Sequence, residues 1–126
     1  MNDKAMEIIR ELGNFFSYYR TGTVVIQNLE DASQWKPSET GKGGTIRYDY
    51  GIGFSLAGRA NKHKIIVALE PNDTYTVYVW RPATVKEAGI GVVLEKVEDV
   101  YADNLYSVLE RRYRQYVDGV VPAQIL

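Results

Sequence analysis

Lys64-Ile65-Ile66-Val67-Ala68-Leu69 and Tyr75-Thr76-Val77-Tyr78-Val79-Trp80 are two apolar runs separated by Glu70-Pro71-Asn72-Asp73-Thr74. The separator has the Pro, Asn and Asp of a tight turn, so the whole reads as a β-hairpin. A strand with one wet face alternates apolar and polar residues, whereas a strand covered on both faces reads as a near-continuous apolar run. These two runs are of the second kind. Something must therefore cover each face of the sheet: a helix, a tail or a second subunit.

Upstream lies a clear alternation. Ile46, Tyr48, Tyr50, Ile52, Phe54 and Leu56 fall on one face of a long strand, with Thr45, Arg47, Asp49, Gly51, Gly53 and Ser55 on the other. Two glycines in a strand point to a bulge, a bend or the close approach of another backbone. A turn near Ala60-Asn61 would set Leu56 opposite Ile65, Phe54 opposite Val67 and Ile52 opposite Leu69. A tip at Asn72-Asp73 then adds Thr76, Tyr78 and Trp80 to that face. Ile66, Ala68, Val77 and Val79 go to the opposite face with the small residues Gly51, Gly53 and Ser55.

Outward from this hairpin pair the chain is bracketed by helical patterns. Ala5, Ile8, Ile9, Leu12, Phe15, Phe16 and Tyr19 recur at helical spacing behind a capping Asn2 or Asp3, with Gly22 as the stop. Glu98 to Val117 is a second helix, with Tyr101, Leu105, Val108, Leu109, Arg112, Tyr113 and Tyr116 on or near its buried side. Short strands are expected at Thr23–Gln27 and Ile90–Val97. Between the first of them and the alternating segment, residues 30–44 form a long polar loop with Trp35, Pro37 and three glycines, a length that is often functional. The expected fold is a single α+β domain over residues 1–126: an antiparallel meander of about five strands bracketed by an N-terminal and a C-terminal helix.

Composition narrows the functional classes. The 126 residues suffice for one domain with its own core. A net charge of −1 provides no basic field for nucleic acid or anionic membrane. The absence of cysteine removes disulfides, thiolate catalysis and sulfur-ligated zinc. His63 is the only histidine, so a multi-histidine metal site is excluded. No signal-peptide pattern and no membrane-length apolar run is present, so a cytoplasmic protein is expected. Ten tyrosines against three phenylalanines and two tryptophans favour interfaces as well as cores.

Few residue groups point to chemistry. Glu39-Thr40-Gly41-Lys42-Gly43-Gly44-Thr45 resembles a phosphate cradle, but a strand follows it rather than a helix. Arg59, Lys62, His63 and Lys64 make a basic turn of the kind that usually stays solvated. Arginine and tyrosine mix in Glu110-Arg111-Arg112-Tyr113-Arg114-Gln115-Tyr116, which reads more simply as a helix end with dipole-compensating cations. Glu30-Asp31 and Glu98-Asp99 are adjacent in sequence and diverge, so neither is an acid–base pair; the second suits the first turn of the last helix. The best small-molecule grouping is Arg47, Asp49, Tyr75 and Arg81, with Trp35 and Lys42 from the long loop, a set that could clamp a planar anion.

The expectation is thus a non-enzymatic binding protein of inhibitor or adaptor type, without cofactor. It would self-associate as a homo-oligomer or engage a protein partner through a sheet face. The alternative is a binder of a nucleotide or other small anionic ligand in the Arg/aromatic pocket.

Overall fold

The computed structural model describes residues 3–39, 44–56 and 62–119. Its elements run α1 (Asp3–Leu12), α2 (Phe15–Tyr18), β1 (Val25–Asn28), β2 (Ser38–Glu39), β3 (Tyr50–Ser55), β4 (Lys64–Leu69), β5 (Tyr75–Pro82), β6 (Gly91–Val100) and α3 (Leu105–Tyr116). This is an α+β fold with helices toward both ends of the chain, as the sequence predicts. The sheet, however, has six strands in the order β1-β3-β4-β5-β6-β2. All pairs are antiparallel except β2, which runs parallel to β6 through Ser38 and Glu39. A pure five-strand meander is therefore only roughly matched.

The helices lie on one face. Ala5, Ile8 and Leu12 of α1 and Leu105, Leu109 and Tyr113 of α3 share a core with Ile52, Phe54, Ile65, Val67, Tyr75, Val77 and Val79. The first helix is interrupted earlier than Gly22. Gly13 takes φ +58° and stops α1, because a left-handed residue ends the helical hydrogen-bond run. Phe15 then opens the short α2 and is wholly buried among aromatic rings.

The hairpin register differs from expectation in an instructive way. Leu69 pairs with Tyr75, Val67 with Val77 and Ile65 with Val79. The loop has three residues, not two. Asp73 N–H donates to Glu70 O at 3.0 Å, Asp73 takes φ +65°, and Glu70 N–H closes the loop on Thr74 O at 2.8 Å. That is a tight turn followed by a left-handed residue, a common three-residue hairpin loop. One extra loop residue slips the register by one and flips all of β5. Tyr75, Val77 and Val79 face the helices, whereas Thr76, Tyr78 and Trp80 face away. The β3–β4 register is also offset, with Phe54 opposite Ile65 and Ile52 opposite Val67. That offset is two residues, so the faces survive it.

The second face is covered by the chain itself. A second buried cluster joins Ile66, Ala68, Tyr78, Trp80 and Val93 to Ile46 and Tyr48, with Trp35 packed against it. The described part of the long polar loop supplies this cover together with Ile46 and Tyr48. From β1 the chain crosses the sheet through Gln34 and Trp35 and reaches the far edge as β2. It returns through Ile46 and Tyr48 to β3. Ile46 N–H donates to Pro37 O at 3.0 Å and ties the outward and return paths together. Ile46 and Tyr48 are consequently not on the strand face of Ile52 and Phe54; the strand begins only at Tyr50. Glycine makes room for the cover. A Cβ on Gly53 would stand 2.6 Å from the Trp35 ring, whereas one on Gly51 would stand 2.4 Å from Val67 O of the neighbouring strand β4.

The last strand outruns its expected end. β6 continues to Val100, so Glu98 and Asp99 belong to the sheet and not to the first turn of α3. Register shifts against β5 fall between Tyr75 and Val77 and between Val79 and Trp80, and Asp99 takes φ +55°.

Candidate functional site

Of the six ligand-binding residues expected from the sequence, the five that are described are not brought together. Tyr75 sits in the helix-side core, only 2 % exposed, because of the flipped register. Arg81 is spent on its own loop: its guanidinium makes two bonds to Glu87, at 2.8 and 2.9 Å, while Glu87 also accepts from Thr84 N–H at 2.9 Å. These bonds, Arg81's foremost, hold the Glu87 carboxyl down at about 2. Trp35 is half-buried over Gly53, edge-on to Trp80 with ring centres 5.5 Å apart, and Lys64 Nζ lies 4.9 Å from its ring centre. It is cover, not lid. Asp49 is exposed. Lys42 lies outside the described residues, as do Arg59 of the basic turn, most of the cradle-like loop, and the tail 120–126.

Of the described residues in that set, Arg47 lines a hollow. Leu29, Lys36, Thr45, Ile46, Arg47 and Tyr48 enclose about 330 Å³ on the outer side of the cover. Ile46 and Tyr48 are buried and form its floor. The Tyr48 hydroxyl is directed inward, lying 2.6 Å from Trp35 O and 2.9 Å from Gln27 Oε1; Gln27 Oε1 also accepts from Trp35 N–H at 2.5 Å. Burial, with a smaller push from Tyr78, raises the Tyr48 hydroxyl far above an ordinary phenol, so this anchor stays protonated. The polar anchor fixes the backbone that carries Arg47. Thr45 enters the sequence reading as the end of the cradle-like loop and on a strand face, and Lys36 not at all. The available signal was that Lys36 sits between Trp35 and Pro37, a buried ring and a rigid residue that fix its place.

The other chemical groups are occupied. His63 is half-buried with its ring 4.7 Å from that of Tyr116, and burial, then the charge of Arg81, lowers its pKa. Glu95 receives the Tyr116 hydroxyl at 2.9 Å and lies 2.8 Å from Arg112 Nε, close enough for an ion pair though off the line of a hydrogen bond. Tyr19 donates to Glu110 across the helices. Among the described residues no cluster of three or more His, Asp or Glu side chains could hold a metal. No helix there is long and apolar enough to cross a membrane.

The two sheet edges differ. Beyond the two residues covered by β2, the outer edge of β6 carries Glu95, Lys96, Glu98 and Asp99 and is bent by register shifts. Lys96 Nζ lies 3.5 Å from both Glu39 and Glu98, which ties β2 to β6 and keeps charge along that rim. Charges and bulges are how sheets discourage edge-to-edge pairing. Among the described residues, the other edge, β1, pairs only with β3. From Thr21 to Leu29 it has no charged residue, and Ile26 and Leu29 stand 36 % and 57 % exposed. Compared with known proteins, the chain matches no family model, no curated protein and no solved structure.

Proposed function

We propose that this chain is a small non-enzymatic binding protein whose recognition element is the outer edge of β1, and that its partner strand is the β1 of a second copy. The observation that carries the reading is the contrast between the edges, one charged, bulged and capped by β2, the other uncharged with Ile26 and Leu29 exposed. An open strand presents a row of backbone donors and acceptors, and antiparallel addition of another strand satisfies them. Two identical strands meeting antiparallel across a two-fold axis are self-complementary, and an uncharged strand meets its copy without like-charge repulsion. The edge is preferred to a sheet face because Ile66 and Val79, whose apolar character motivated a face, are both fully buried within one chain.

Sedimentation velocity at micromolar concentration tests the proposal. The expected species is a dimer. Ile26→Lys sets two cations against each other across the axis and is expected to give a monomer with an unchanged circular dichroism spectrum. A wild-type chain that stays monomeric up to several hundred micromolar would remove the proposal.

A further inference from the structure

We infer that the hollow between Lys36 and Arg47 is a binding site for a small organic anion, one phosphate or carboxylate group carried on an apolar body. The inference does not require self-association, since Lys36 and Arg47 stand on the cover and the hollow shares only Leu29 with the strand edge.

The lining is the first argument. Two cations, Lys36 and Arg47, border the hollow together with Thr45, and among the described residues no carboxylate lines it. Ion pairs occupy some of the other cations, Arg81 with Glu87, Lys96 with Glu39 and Glu98, and Arg112 with Glu95. Among the described residues, Lys36 and Arg47 have no such partner. Two like charges bordering one concavity repel each other, and a bound anion relieves that repulsion while accepting hydrogen bonds from both. The overall charge of −1 makes this a local feature of the hollow and not part of a broad basic field.

The second argument is shape. About 330 Å³ falls at the lower end of small-ligand sites and exceeds what a bare inorganic anion fills. The rest of the wall is Leu29, more than half exposed at the rim, with Ile46 and Tyr48 as floor. An apolar body laid on Leu29 would be withdrawn from water while its anionic group reaches the two cations.

The third is rigidity. Lys36 lies between Trp35, whose ring is held over Gly53, and Pro37, whose carbonyl accepts from Ile46 N–H; Arg47 lies between the buried Ile46 and Tyr48. Both cations stand on fixed backbone, so less ordering cost falls on the ligand.

Amide-resolved NMR titration of the full chain tests the site with four probes: adenosine monophosphate, benzoate, inorganic phosphate and adenosine. The two organic anions are expected to bind with Kd of about a millimolar, moving the amides of Leu29, Lys36, Thr45 and Arg47. Adenosine should bind at least about tenfold more weakly, since it lacks the charge. Lys36→Gln and Arg47→Gln, both exposed and outside the core, should each weaken the anions about three- to tenfold without disturbing the remaining spectrum. Saturating the stronger organic anion and adding the other separates the sources: competition means one shared anion site. Phosphate binding as tightly as adenosine monophosphate would overturn the claim for an apolar body. Shifts scattered over the surface, or wild-type affinity retained in both variants, would overturn the site. Dimer formation is read separately by sedimentation, so failure of one reading leaves the other standing.

Discussion

At Gly53 the missing Cβ decides whether the second sheet face can be closed. Trp35 occupies the space that a methyl group would need, with ring atoms 2.6 Å from the ideal Cβ position. Gly53→Ala must therefore push Trp35 off the sheet or strain the strand, and overpacking of this kind costs about 1–3 kcal/mol. Chemical denaturation should record that loss, with the tryptophan emission shifted toward that of an exposed indole. The conflict is between two specific groups, so it should vanish when one is removed. In a Trp35→Ala background, Gly53→Ala is expected to be close to neutral, and equal costs in both backgrounds would show that the ring is not what excludes the methyl.

At the scale of the element, the loop between β4 and β5 sets which side chains see the helices. Asp73 holds the left-handed position, φ +65°, and Asn72 Oδ1 accepts from the Thr74 hydroxyl at 2.8 Å. Asp tolerates that conformation better than most residues, and glycine better still. Asp73→Gly should therefore stabilise by up to about 1 kcal/mol, whereas Asp73→Val should destabilise by about 1–2 kcal/mol, both read from urea midpoints. The same loop marks the limit of what periodicity conveys. The apolar runs of β4 and β5 were legible because both faces are buried, but a strand apolar on both sides carries no internal mark of which side is which. The face assignment then rests on loop length alone, and a three-residue loop in place of two turned Tyr75 inward and away from Arg47. By contrast, the two-residue offset of β3 against β4 preserved every face. β2 is two residues long and paired to a distant strand, so no pattern in Ser38-Glu39 announces it. Arg47 was legible as a candidate; Lys36 was not, because its neighbour across the hollow is set by the path of the cover and not by spacing. β1 was legible as a strand, but strand order is absent from local pattern, so its place at the sheet edge was not.

Across the whole molecule, the tyrosines couple both layers of the fold to pH. Tyr48 and Tyr78 lie in the cover-side cluster, Tyr75 in the helix-side core, and Tyr116 on α3 against β6. Burial is the leading cause that raises each of them. Tyr75 reaches about 12, with Glu7, Glu11 and Asp73 adding repulsion, and Tyr116 reaches about 12, with its bond to Glu95 adding to the shift. Tyr78 is raised despite the opposing charge of Lys96, and Tyr48 most strongly. An unfolded tyrosine ionises near 10. The folded chain therefore holds protons that the unfolded chain releases above that pH. The contribution to stability is complete below pH ~10 and is lost as pH rises toward the folded values, by up to about 1.4 kcal/mol per pH unit for each tyrosine so held. Urea midpoints should thus fall steeply between about pH 10 and 12 after a flat neutral range, and tyrosinate absorbance should rise together with the unfolding signal. Tyr48→Phe separates this effect from general alkaline damage. Loss of the hydroxyl bonds to Trp35 and Gln27 should lower stability at neutral pH by about 1–2 kcal/mol, while the alkaline fall becomes shallower because one withheld proton is gone. An alkaline slope unchanged in Tyr48→Phe would mean that the cover opens before its tyrosine ionises, and that the second face is held far less firmly than the helix face.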